Sequence, residues 1–479
     1  MHNNLTQTIE KIKTVLTSPD VLTFYFASQD GKKFCAVYAD GIVDKRTFAE
    51  SVVAPLKTIK KDDELQLICQ TLAFPEVKTV QDIPTAIDEI NEGNVALVVD
   101  GESQIIVVGL KFPPVRAVME PPTQVAVKGP REGFIEDVKV NIALVRKRLK
   151  TEKLQIENVK SGKNSNTNVS IVYLKGVCDE SLPQKVKEQI ERHEIDFIPD
   201  SNYVASFISK KPRSLFKRCS TSEKPDVFCA KLSEGRVGIL VDGSPLALTV
   251  PYMIMEDFQS VEDYYTTGYR ATIIRLLRLI SIIAGVFLPA VYVCAQLFKI
   301  QLIPVKLLLK IASSVSGISL SPSIEMFLTL FMLEVLNEAS IRMPKYVGLA
   351  LSVVGALVLG DTAVKAGIIS TPAIIIIAFS AICLYTVPDL VETTTTLRWL
   401  YLIVAGSVGT FGITLLTGIL ICYLTSENSY GVPLLAPFSP LVLGDMKDGV
   451  YKVELPDLKR RPNVLRLKNK TRYKTKGGF

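Results

Sequence analysis

LISIIAGVFLPAVYVCAQLF, residues 279–298, contains no charged side chain. At about 1.5 Å of helical rise per residue, roughly 20 such positions match the about 30 Å of hydrocarbon in a bilayer. Two more uncharged windows follow, Ala366 to Pro388 and Trp399 to Ser426, and each predicts a membrane-crossing helix. A fourth, Tyr346 to Gly360, is shorter and runs into Asp361, with Lys365 one turn later. If that window is a membrane helix, Asp361 and Lys365 sit at membrane depth, or the backbone breaks near Gly360 and Gly367 where it lines protein or water.

Outward from this region, the chain has 479 residues and a positive mean hydropathy. The length leaves about 270 residues before the first window, enough for one large or two small domains. Met1 to Ser18 is polar and amphipathic, without the apolar run of a signal peptide, so the N-terminal region is expected to stay in the cytosol. Three of the eight cysteines lie in the apolar windows (Cys294, Cys383 and Cys422) and the others lack CxxC spacing, which argues against a disulfide framework or a zinc site. The Gly-rich turn at 128–133 lacks the Gly-Lys-Ser/Thr of a phosphate cradle, and no cofactor is expected. A Gly-x-Ser-x-Gly elbow, a His-Glu-x-x-His helix and a Cys/His pair are absent, which speaks against a hydrolase.

From Leu443 to Phe479, eleven Lys and Arg stand against four Asp and Glu, a net of +7 equal to the formal charge of the whole chain. Such a tail fits the anionic cytoplasmic face of a membrane better than nucleic acid. Arg270, Arg275 and Arg278 before the first window also point to a cytoplasmic start, although Lys299, Lys306, Lys310, Arg342 and Lys345 run against that rule.

The N-terminal half reads as a duplicated α/β unit. Glu92 to Gly101 (EGNVALVVDG) parallels Glu234 to Gly243 (EGRVGILVDG), and Tyr38 to Asp44 echoes Tyr173 to Asp179 in the same order. Each apolar run suits a buried strand, and Asp-Gly suits a hairpin turn. The resulting plan has subdomains at 1–122 and 164–255, joined by a turn, helix and linker at 123–163. A membrane domain of four to five helices at 270–426 and a basic tail at 427–479 complete it.

Between the subdomains, Ile135, Val138, Ile142, Val145 and Leu149 recur on one helical face. Glu136 and Asp137 precede the helix and Arg146, Lys147, Arg148 and Lys150 close it, matching the helix dipole at both ends. Ser161 to Asn168 reads as a loop.

Ser323 to Ile341 is helical in pattern but carries Glu325, Glu334 and Glu338. Glu334, Asn337, Glu338 and Arg342 fall on one side, opposite Leu328 and Phe331. Two readings stay open: an interfacial or packed helix with a solvated charged stripe, or the polar wall of an ion path. Asp361 and Lys365 are either an i, i+4 pair near the headgroups or a pore mouth. In the second case the run containing Val353, Val354, Leu357 and Leu359 is a candidate apolar gate that closes by dewetting.

The segment Gln124 to Phe134, with Gly129, Pro130, Arg131, Glu132, Gly133 and Phe134, followed by Asn141 to Leu149, resembles the signature of A subunits of GerA-type spore germinant receptors. Glu334, Glu338-Ala339, Arg342-Met343-Pro344, Gly355, Gly360, Ala363 to Ser370 and Pro437 to Pro440 resemble motifs of that family in the same order. The resemblance implies a multi-pass protein of the inner spore membrane with cytosolic termini. It also implies a transporter-like B subunit and a lipoprotein C subunit as partners, and a ring-shaped homo-oligomer, a pentamer, around a cation path. Asn337 stands where the resemblance leads one to expect a basic residue and Lys365 where an acidic or amide residue is usual, both bearing on ion selectivity. The competing reading is a secondary transporter, whose paired membrane repeats this sequence lacks.

Overall fold

The computed structural model describes residues 5–72, 74–110, 124, 128–209, 214–344, 357, 360–465 and 467–473. The chain divides into two compact units, one of 1–253 with 428–432 and 454–479, the other of 254–427 with 433–453.

The first unit contains two five-stranded sheets of the same strand order. One runs β1 (Val21–Ala27), β2 (Lys33–Ala39), β4 (Val95–Val99), β5 (Ile105–Val108), β3 (Val77–Val80). The other runs β6 (Leu154–Ser161), β7 (Thr167–Leu174), β9 (Val237–Val241), β10 (Ala247–Val250), β8 (Ser220–Ser222). The matched sequence segments form β4 and β9, the central strands, each buried along its whole length. Each turns at Asp-Gly, where Gly101 and Gly243 have φ of 86° and 85°, values that cost a glycine nothing.

Strand pairs in both sheets are antiparallel. The α/β composition is therefore organised as antiparallel sheets covered on both faces by helices, because short Asp-Gly hairpins join neighbours that a parallel sheet would connect through crossovers. Along β2 the pleat sends Phe34, Ala36 and Tyr38 to one core and Cys35 and Val37 to the other. On the second face lie α1 (Leu5–Val15) and α2 (Ile83–Asn91).

The repeat begins earlier than the sequence plan placed it. Strand β6 starts at Leu154, ahead of the expected boundary at 164, and the polar stretch expected as a linker contains the β6–β7 hairpin turn, with Ser161 and Thr167 paired across it. Gly, Ser and Asn mark a chain reversal, and composition does not distinguish a turn inside a sheet from a link between domains. The signature helix α3 (Val138–Arg148) stands before β6 as α1 stands before β1. Its Val138, Ile142 and Val145 join the core of the second sheet with Phe228 and Leu232.

The expected tail is not a separate segment. Residues 428–432 and the chain from 454 group with the first unit, and 433–453 with the second. Leu467 lies against Gly235, Arg461 donates to the Ser233 carbonyl at 2.8 Å, and Arg472 pairs with Glu234 at 3.6 Å. Part of the tail's charge is thus committed to the turn before β9.

The second unit is helical: α4 (Gly268–Leu297), α5 (Val305–Val315), α6 (Pro322–Arg342), α7 (Thr371–Leu384), α8 (Val391–Val408) and α9 (Thr410–Ser426). Among the described residues, α4 alone is one unbroken helix long and apolar enough to cross a membrane, and α7 with the chain from Pro388 to Val408 passes the same test only as a pair bent by 106°. The window at 399–426 is broken at Gly409, whose φ of 74° and ψ of −150° end α8. A Cβ there would meet the Phe298 ring at 2.9 Å. A hydropathy window averages over such a break, which is why three uncharged windows overstate the number of continuous spans. Most of the Tyr346 to Gly360 window lies outside the described residues.

Arg275 and Arg278 are not free flanking charges. Both bond to Asp263, at 2.9 and 3.0 Å, and Arg275 also reaches Asp448.

Candidate functional site

The helical unit buries several polar groups and exposes many large apolar ones. Ile273, Ile280, Phe331, Ile341, Ile375, Ile382, Phe411 and Ile419 are exposed, whereas Glu325, Ser380, Thr394 and Arg398 are buried. A water-soluble helical domain shows the reverse distribution.

On α6 the charged stripe is divided between the surface and the interior of the unit. Phe331, expected opposite the charged stripe, faces outward, and Glu334 turns inward. Glu334 Oε1 receives a bond from Arg398 Nη2 at 2.5 Å. Arg398 is 2% exposed, and its Nη1 donates to Ser380 Oγ at 3.2 Å. The Ser380 hydroxyl donates in turn to the Gly285 carbonyl at 2.6 Å. Four helices are stitched by this chain: α6, α8, α7 and α4. Close approach permits it, since a Cβ on Gly285 would meet Leu384 Cδ2 at 2.5 Å.

Four of the five remaining ion-path candidates form two surface pairs. Glu338 accepts from Arg342 Nε at 2.6 Å, and Lys365 Nζ donates to Asp361 at 2.5 Å. Both are i, i+4 pairs, and all four side chains are more than half exposed. Asn337 is half-buried. Among the gate candidates, Leu357 is helical and exposed, and Val353, Val354 and Leu359 lie outside the described residues.

Sequence reading missed Arg398. It stands directly before the Trp399 window, just outside its bounds. A lone basic residue abutting an uncharged run is the signal that would have found it.

The signature residues occupy a joint between the two sheets. Gln124 accepts from Ser222 Oγ at 3.0 Å and the Glu223 amide at 3.2 Å, and the Phe134 amide donates to the Glu223 carbonyl at 2.7 Å. The Phe134 ring meets Phe228 edge-on at 5.5 Å. Gly129 has φ of 115°, and the turn through Pro130, Arg131 and Gly133 carries Glu132 back to Lys147 and Arg148, at 2.8 and 2.7 Å. Asn141 is buried and clamps Ile135 with both amide groups, accepting from its N–H at 2.9 Å and donating to its C=O at 2.6 Å.

On its other side α3 meets the first sheet. Arg146 donates to Asp20 through Nε and Nη2, the latter at 2.6 Å, and both residues are buried. A Cβ on Gly41 would lie 3.0 Å from the Lys139 carbonyl. A cleft of about 700 Å³ in the first subdomain is lined by residues of 64–69, 77–79 and 102–104, none of them from the signature.

The hydrogen bond from Lys147, more than the partial burial opposing it, holds the Glu132 carboxyl below its usual range. Its stabilising contribution is complete above the unfolded-state value and is lost as pH falls through the lowered folded-state value. Glu132→Gln is expected to flatten the acid limb of the thermal stability profile of the full chain and to cost below about 1 kcal/mol at neutral pH, because the pair is partly screened by solvent. Melting curves between acid and neutral pH check this; an unchanged acid limb would remove Glu132 from the account.

Two antiparallel α/β subdomains joined through one helix, followed by a helical unit that exposes many large apolar side chains and buries an arginine paired with a glutamate, define the class of the protein. The chain belongs to the Bacillus/Clostridium GerA spore germination protein family, whose model matches residues 5–464. It is 33% identical over 471 residues to spore germination protein KA of Bacillus subtilis (strain 168), covering 97% of this chain and 87% of that protein. Identity is 31% over 480 residues to spore germination protein GerLA of Bacillus cereus, covering 98% and 97%. The uncharacterized membrane protein YfkQ of Bacillus subtilis (strain 168) is 33% identical over 468 residues, covering 96% and 91%. The crystal structure of the N-terminal domain of the A subunit of the Bacillus megaterium spore germinant receptor GerK3 is also similar, with a TM-score of 0.41 and 24% identity over 53% of this chain and 97% of that one.

Proposed function

We propose that this chain is the A subunit of a nutrient-sensing germination receptor. In this reading it inserts several helices of 268–426 into the inner membrane of the spore, with both termini cytosolic. Copies assemble as a homo-oligomer, a pentamer on the family resemblance, around a path that conducts ions when germinant is sensed. A transporter-like B subunit and a lipoprotein C subunit complete the receptor.

One observation carries this reading. The pairs Glu338–Arg342 and Asp361–Lys365 stand exposed on a unit that also exposes many large apolar side chains. Acyl chains do not solvate such pairs, so neighbouring copies or water must cover them. Glu334, Asn337 and the run containing Val353, Val354, Leu357 and Leu359 then line or close the path.

The test follows monovalent cation release from spores after nutrient addition. Asp361→Ala, Glu338→Ala and polar substitutions in the 353–359 run are expected to change its rate or ion preference at normal receptor abundance. Unchanged release in every well-assembled variant overturns the proposal. The bent pair of α7 and α8 favours a second reading, a secondary transporter with a discontinuous helix; saturable solute uptake by the chain alone would establish it.

A further inference from the structure

The helical unit contains a buried carboxylate that the ion-path reading does not use. Glu325 on α6 is 0% exposed. Its Oε1 accepts from the Ser370 amide at 2.6 Å, at the N-terminus of α7, and its Oε2 has no partner among the described residues. Among the described residues no Lys or Arg pairs with this carboxylate, and five cations of the same unit are held by other carboxylates: Arg398 by Glu334, Lys365 by Asp361, Arg342 by Glu338, and Arg275 and Arg278 by Asp263. The nearby hydroxyl of Thr329 is spent on the Glu325 carbonyl at 2.8 Å, and that of Ser370 accepts from Ala373 at 3.3 Å.

Across from Glu325, α4 presents Tyr292 and Gln296, one helical turn apart and so on one face. Tyr292 is buried, stands beside Gln296 and Ser370, and lies within electrostatic reach of Glu325. Among the described residues, the Tyr292 hydroxyl and both polar atoms of the Gln296 amide are buried without a hydrogen bond of normal length. Apolar neighbours Val293, Met326, Leu330, Ile369 and Ile377 pack around the spot.

Buried polar groups are nearly always satisfied, and an ionised carboxylate without a counter-charge is costly to bury. One N–H at a helix N-terminus offsets part of the charge on Oε1 and leaves Oε2 bare. We propose that Glu325, Gln296 and Tyr292 form a binding site for a dehydrated monovalent cation of the Na⁺ or K⁺ type. It takes one carboxylate oxygen, one amide oxygen and one hydroxyl oxygen as ligands. The donor set fixes the charge class: hard oxygens suit alkali and alkaline-earth ions, and a single carboxylate balances one positive charge, whereas divalent sites draw on more carboxylates or retained waters. The site lies within one protomer and does not depend on a conduit shared between copies. It ties α4, α6 and the start of α7 together when filled.

The experiment uses the full chain in lipid nanodiscs, comparing N-methyl-D-glucamine chloride with NaCl and KCl at equal ionic strength. The melting temperature of the wild type is expected to rise saturably with Na⁺ or K⁺, and equilibrium dialysis with ²²Na⁺ or ⁸⁶Rb⁺ to find one ion per protomer. Glu325→Gln keeps an oxygen for the Ser370 amide and is expected to fold, to lose the cation-dependent rise and to bind no ion. Gln296→Leu and Tyr292→Phe are expected to weaken binding. A wild type that binds no ion overturns the site. So does a cation response of equal size in Glu325→Gln. Loss of nutrient-driven ion release in the Asp361 variants bears on the shared path and leaves this outcome untouched.

Discussion

Arg398→Leu is expected to destabilise the helical unit by about 3–5 kcal/mol, the range for removing one partner of a buried ion pair. The substitution strands the Glu334 carboxylate, frees the Ser380 hydroxyl and removes the cation through which α8 reaches α6 and α7. Much of the loss is the penalty of an orphaned charge, so the double substitution Glu334→Leu with Arg398→Leu should recover most of it. Abundance of the full chain in membranes and its melting temperature in detergent are the readouts. A single variant as stable as wild type, or a double variant no better than the single, would show that the pair is solvated and contributes little.

Arg146→Met is expected to have a comparable effect on the N-terminal unit, again about 3–5 kcal/mol. Asp20 would be left buried facing a thioether, and Asn91 would lose its bond from Arg146 Nη1 at 3.4 Å. The first and second sheets would then meet through Thr17–Gln155 and the bond from the Ile156 amide to Ser18, without an ionic tie. Limited proteolysis of the full chain should show earlier cleavage between the subdomains, and Asp20→Leu with Arg146→Met should restore resistance. Unchanged proteolysis in the single variant would mean that apolar packing around Gly41 and Ala143 holds the joint alone.

The two predictions share a physical theme. In each unit a buried arginine joins elements far apart in sequence, Arg146 to Asp20 and Arg398 to Glu334. Neither pair is local, so neither is visible in a helical wheel or a hydropathy window. Arg146 was legible only as one of four basic residues closing a helix, the reading that fits its neighbours Lys147 and Arg148, which do reach the surface carboxylate of Glu132. Glu334 was legible as a charge on a helix, but the direction it faces was not. The sequence leaves open whether that side is solvated or walls a polar path, and the structure divides it, with Glu334 paired to buried Arg398 and Glu338 and Arg342 exposed.

What the sequence determined by itself is what depends on short-range chemistry. The strands at 95–99 and 237–241 follow from apolar runs ending in Asp-Gly, and their repetition in order shows the duplication. The signature helix follows from its apolar spacing and from Asp137, which caps it by accepting from the amides of Lys139 and Val140. Only the tertiary structure decided where the repeat begins, how the tail divides between units, that the 399–426 window breaks at Gly409, and which charges are paired. Each of these depends on contacts between residues tens to hundreds of positions apart, or on a single backbone torsion. Composition averages over the second and cannot register the first.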